Sequence, residues 1–145
     1  MIPQSEPHVR AVLEMLRDGL PPIVGVDLGV GPAKEPPFIA VYPDIDDATD
    51  RSLSGDRSLL ILTFALHAVG IGPEQAIWAS DRARAVLLGD PPVVPGHKVK
   101  RLRQERIGGR PVYRDESVQP PVYVAYSAYR LISQAVGPEP EFESD

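Results

Sequence analysis

Cysteine is absent from this chain, which excludes disulfide staples, cysteine-ligated zinc and a thiol nucleophile together. Stability therefore rests on packing. No apolar stretch approaches the roughly 18 residues needed to span a bilayer, and the opening MIPQSEPHVR carries no signal-peptide apolar core. The expectation is a cytoplasmic protein without membrane contact. Histidine is scarce as well: His8, His67 and His97 stand far apart, with no i,i+4 pair of the kind that ligates zinc. What remains is an ordinary globular balance over 145 residues, 43% hydrophobic and 24% charged. That suits one domain with a real core, read here as residues 1–136 followed by an acidic tail, 137–145.

The pattern of apolar residues predicts the elements. Ser5 as N-cap, Pro7 in the first turn and Val9, Val12, Leu13 and Leu16 at helical spacing predict a helix over 6–18, stopped by Gly19. IVGVDLG alternates as a half-buried strand near 23–29, and FIAVYP makes a second strand closed by Pro43; with GPAKEPP between them the two are expected to pair antiparallel. LLILTFALHAV is apolar on both alternating faces, which marks a central strand or one covered on both sides. In GPEQAIWASDRARAVLLGD, Pro73 fits the first helical position and Glu74 the positive end of the helix dipole. Ala76, Ala79, Ala83, Val86 and Leu87 then form a buried stripe ahead of Gly89.

Downstream, the polar segment 98–107 reads as an edge strand or exposed hairpin arm, with Gly108 and Gly109 at its turn. PPVYVAYSAYRLIS is a long closing strand with outward tyrosines. The order α-β-β-β-α-β-β predicts an α+β fold, a mixed or antiparallel sheet of about five strands packed by two helices.

Charge is unevenly placed. The net charge of −5 argues against general affinity for nucleic acid. Yet seven of the 15 basic residues fall in one segment, Lys98 to Arg114, while acids gather in DIDDATDRSLSGD (Asp44–Asp56) and in GPEPEFESD. The first acidic stretch fits a solvated hairpin loop, a contact to a partner, or a metal site built from Asp44, Asp46 and Asp50 in a small metal-dependent nuclease or hydrolase. It is not a calcium loop, because Ala48 and Thr49 occupy the fifth and sixth positions. The basic segment fits an edge protected by charge, a phosphate-contacting arm, or a surface complementary to an acidic protein, another copy of this chain included. Only Tyr113 interleaves it, so single-strand stacking is a poor match.

There is no G-x-S-x-G elbow and no G-x-G-x-x-G loop before a helix. No catalytic, cofactor-binding or metal-ligating residue is expected. The candidate contact residues, chosen for charge and expected exposure, are Asp44, Asp46, Asp47, Asp50, Arg51, Lys98, Lys100, Arg101, Arg103, Arg106, Arg110, Tyr123 and Tyr129.

Taken in order, the helix ending DGLPP, the strand PFIAVYPD, the polar loop ending SLSGD, the strand LTFALHAVG, the helix EQAIWASDRARAVLLG, the loop PVVPGHKV and the strand PPVYVAYSAYRL resemble the tail terminator, or tail completion, proteins of long-tailed bacteriophages. The resemblance runs from about His8 to Ser133. It implies a non-enzymatic α+β subunit of the virion neck, assembled in the host cytoplasm. Six copies would form a ring capping the tail tube and meeting the head connector, with DNA passing through the lumen without sequence readout. Other neck and connector proteins share this size and character.

Overall fold

The computed structural model describes residues 4–29, 35–44, 59–106 and 110–136. It is an α+β fold: helix α1 (Ser5–Gly19), strands β1 (Gly25–Leu28), β2 (Phe38–Asp44) and β3 (Leu59–Gly70), helix α2 (Pro73–Leu87), then β4 (His97–Val99), β5 (Arg103–Glu105), β6 (Tyr113–Asp115) and β7 (Val122–Ala135). The sheet runs β1-β2-β3-β7-β4, with β5 and β6 also on β7.

The centre is β3 against β7, antiparallel over twelve positions from Leu59↔Gln134 to Gly70↔Tyr123. Leu60, Leu62, Phe64 and Leu66 of β3 and Tyr129 and Leu131 of β7 point to one face and are wholly buried there. Both helices cover that face. α1 contributes Val12, Leu13 and Leu16; α2 contributes Ala76, Ala79, Ala83 and Leu87. The small alanines let α2 lie close to the sheet. Closest of all is Gly70, where an added Cβ would stand 2.4 Å from the Ala76 nitrogen. Arg17, in the last turn of α1, donates to the Val26 carbonyl at 3.1 Å and fastens that helix end to β1.

Three expectations are corrected. β1 and β2 pair in parallel, Gly25↔Phe38 through Leu28↔Val41, not antiparallel. A four-residue strand is only about 13 Å long, so the nine residues from 29 to 37 suffice to return the chain to its starting end. Leu28, in the same alternation phase as the buried Val24 and Val26, is 51% exposed at this edge.

Second, the basic segment lies on the sheet edge, one of its two expected places, but as separate short strands and not as a hairpin arm. β4, β5 and β6 all run antiparallel to β7 along its outer edge, so β5 and β6 share one direction; Gly108 and Gly109, the expected turn, lie outside the described residues. Third, the N-terminal cap of α1 is Gln4 rather than Ser5, and it makes no side-chain cap bond. The shift is one residue, and Glu6 still stands in the first turn, where a negative charge suits the dipole.

The broken edge strand has a one-residue bulge. Val99 faces Ser133 and Lys100 donates its amide to the Ile132 carbonyl at 2.9 Å; continuing in that register would set the residue at 103 against Tyr129. Instead Arg103 faces Arg130. One extra residue flips every later side chain to the other side. Leu102 turns into the core, 3% exposed, while Arg103 joins the face of the sheet that the helices do not cover.

Candidate subunit interface

Two adjoining surfaces carry the unusual chemistry: the face of the sheet opposite the helices, and the basic outer edge beside β7.

The face is built by strand alternation. Phe38, Ala40 and Tyr42 of β2, Leu59, Ile61, Thr63, Ala65 and His67 of β3, and Val124, Tyr126, Ala128 and Ile132 of β7 share it by register. No helix lies over it among the described residues. Three planar rings cross its middle: Tyr42 and His67 have centroids 4.6 Å apart, and His67 and Tyr126 are 5.2 Å apart. The Arg110 guanidinium sits 4.3 Å above the Tyr126 ring, a cation–π contact. Burial among these neighbours lowers the His67 pKa, and the nearby Arg110 charge adds to the effect. Beside the rings an open groove of about 320 Å³ has Thr63, Ala65 and Ala128 as its floor and Tyr42, Tyr126, Glu105 and Arg106 among its walls. A largely apolar sheet face with a polar and cationic border is the anatomy of a protein contact.

Along the edge, Lys98, Lys100, Arg101, Arg103, Arg106 and Arg110 are all exposed. Arg130 pairs with Glu105 at 3.5 Å and Arg114 with Glu116 at 3.3 Å. Lys98, Lys100, Arg101 and Arg103 have no ion-pair partner among the described residues. Among the described residues β4 and β5 pair with β7 and with no other strand, and the outward amide of His97 is taken by the Val94 carbonyl at 3.0 Å. Beyond His97 this leaves a short cationic edge with no strand beside it among the described residues.

The other expected residues divide. Asp44 is exposed at the end of β2, in the row that runs through Thr63 and Arg130 to Arg103. Asp46, Asp47, Asp50 and Arg51 lie outside the described residues. Tyr123 is half-buried and packs against the core. Tyr129, expected to face outward, is fully buried. Its ring stacks on Phe64 with centroids 5.8 Å apart, because its alternation phase is that of Leu131 beneath the helices. Burial accordingly raises the Tyr129 hydroxyl pKa, with Ser127 partly offsetting it. Tyr42, Tyr126 and His67 form the aromatic row instead. The two-sided apolar pattern of β3 pointed to that face without naming its members.

Two of the scattered histidines also converge. His8 on α1 and His97 on β4 meet edge to face at 4.6 Å. His8 is fully buried: its Nδ1 donates to the Gln4 carbonyl at 2.6 Å, and its Nε2 accepts from the Ser133 hydroxyl at 2.8 Å. Opposite a carbonyl, Nδ1 must carry the proton, which fixes the neutral tautomer. The pair pins α1 and the edge strand to β7. Among the described residues no group of three or more His, Asp or Glu is placed to hold a metal ion, and no helix is long and apolar enough to cross a membrane.

No family model matches the chain, and no curated protein sequence matches it. Nine chains of solved structures do match. One belongs to the virion of a native gene transfer agent particle, with a TM-score of 0.53 and 13% identity, covering 86% of this chain and 84% of that one. The α+β fold is therefore shared nearly end to end with a chain of that virion.

Proposed function

We propose that this protein is a structural subunit of a phage-type virion, and more narrowly a tail terminator: a non-catalytic subunit that forms a ring, six copies in the family it resembles, closing the tail tube. The observation that carries the reading is the near full-length fold likeness to a chain of the gene transfer agent virion, a phage-like particle. The order of sequence features described above supports the narrower version. Two surfaces suit such a subunit. The aromatic, apolar sheet face would be covered by a neighbour in the ring, and the cationic edge would meet acidic protein. Its partners would then be further copies of itself, the tube protein on one side and the head connector on the other, with DNA passing through the lumen.

Light scattering on a sizing column, with and without assembled tail tubes, tests this. The reading expects a hexamer, either free or on tube ends, and capped tubes that stop growing. A chain that remains monomeric and leaves tube growth unchanged would refute the terminator role. Assembly onto a connector but not onto tubes would move the subunit to another position in the neck.

A further inference from the structure

The cationic edge invites a specific ligand, and the sequence holds a matching one. In residues 137–145, GPEPEFESD, the acids Glu139, Glu141, Glu143 and Asp145 fall at every second position with no base among them, and Phe142 stands at the alternate phase. In extended backbone that spacing puts all four carboxylates on one side and Phe142 on the other. The edge offers the complement. Lys98, Lys100, Arg101 and Arg103 are exposed, and from Lys98 to Glu105 no strand lies on the outer side of the main chain among the described residues. The bulge at positions 100–102 places Lys98, opposite Gln134, and Arg103, opposite Arg130, on the same face.

We propose that the edge Lys98–Glu105 is a docking strand for the acidic segment 139–145 of a second copy of this chain, which adds to β4 and β5 as an extended strand. Main-chain hydrogen bonds would give affinity and the alternate carboxylates would set register, the usual division of labour in strand addition. Prolines at 138 and 140 are tolerated there because an edge strand needs only half of its amides.

A second copy fits better than the same chain. The amide of Val136 donates to the Gly96 carbonyl at 3.0 Å, at the start of the basic edge and at the far end of β7. To reach its own edge the chain would have to reverse and step sideways by two strand spacings, about 10 Å, within the two residues before Glu139. Prolines at 138 and 140 favour extended backbone over a reversal, and nine extended residues can span at most about 30 Å, enough for a neighbouring copy's edge. A contact from one copy's segment to the next copy's edge is head-to-tail, the kind that closes rings. In this respect the inference rests on the ring reading, though the contact itself does not require six copies.

Because the chain has no cysteine, designed cysteines give a clean test. Ser144→Cys and Gln104→Cys, each in the full-length protein, are mixed and treated with a short bis-maleimide. A covalent heterodimer is expected, and adding Arg101→Glu with Arg103→Glu to the Gln104→Cys chain should cut its yield by about tenfold or more, as attraction becomes repulsion. No heterodimer would overturn the proposal, and so would a double-cysteine chain that links only to itself. Heterodimer without a hexamer in solution or on tubes would sink the ring reading and leave the edge contact standing. A hexamer that gives no such crosslink would do the reverse.

Discussion

Mild acid should loosen this fold, and His8 provides the reason. Its ring is fully buried, with Gln4 accepting from Nδ1 and Ser133 donating to Nε2. Burial is the main cause that lowers its pKa; the neighbouring His97 adds to the effect and the Gln4 carbonyl opposes it. The native state thus prefers neutral His8, whereas the unfolded chain titrates near the ordinary value of about 6.5. Stability is then complete above about pH 6.5 and declines as pH falls from there toward the lowered folded value, because the unfolded state binds the proton that the native state refuses. One proton held by the unfolded chain alone costs up to about 1.4 kcal/mol for each pH unit crossed. Protonation would also turn Nε2 into a donor, so the Ser133 hydroxyl would have to turn and accept in place of donating.

Urea midpoints measured from about pH 7.5 to pH 5.5, where most carboxylates stay ionised, should fall with a constant m-value. His8→Gln should begin less stable by about 1–3 kcal/mol, the usual cost of disturbing a buried hydrogen-bonded group, and should show a shallower pH slope. The residual slope belongs to His67, whose pKa is also lowered, by burial and by Arg110. A His8→Gln slope as steep as that of the parent protein would refute the reasoning. So would stability that rises as pH falls.

Three further outcomes follow from the packing. Gly70→Ala should lower the melting temperature by the equivalent of about 1–3 kcal/mol, since the new Cβ meets the Ala76 nitrogen at 2.4 Å and Gln75 at 2.9 Å. Gly19→Ala meets only the Val86 side chain, at 2.8 Å, and should be tolerated better because a side chain can turn aside; equal losses in calorimetry would contradict this ordering. Tyr129→Ala should cost about 3–5 kcal/mol in chemical unfolding, as large buried aromatics do, and a loss under 1 kcal/mol would return that ring to the surface. Arg101→Glu with Arg103→Glu should change folding stability by less than about 1 kcal/mol, as exposed charges do, while weakening assembly in light scattering. Unchanged assembly would remove the edge from the contact.

The local chemistry was legible in the sequence. Ala76, Ala79, Ala83 and Leu87 recur at helical spacing and are buried on α2; Leu60, Leu62, Phe64 and Leu66 alternate and are buried on β3. Both patterns follow from backbone periods that each segment carries by itself. The two-sided apolar character of β3 also identified it as a central strand, which it is, between β2 and β7. The clustering of bases between Lys98 and Arg114 likewise marked the edge.

What depended on pairing between distant segments stayed hidden. The parallel direction of β1 is a choice between strands, not within one. The bulge that puts Lys98 and Arg103 on one face depends on the register with β7, and a single-residue slip there inverts every side chain. The same ambiguity of phase sends Tyr129 inward while Tyr126 joins Tyr42 and His67 outside. His8, His97 and Ser133, far apart in sequence, meet because α1 and β4 pack on the end of β7. Sequence fixes each segment's period; which side of that period faces the core is decided only when the strands align and the helices settle on one face.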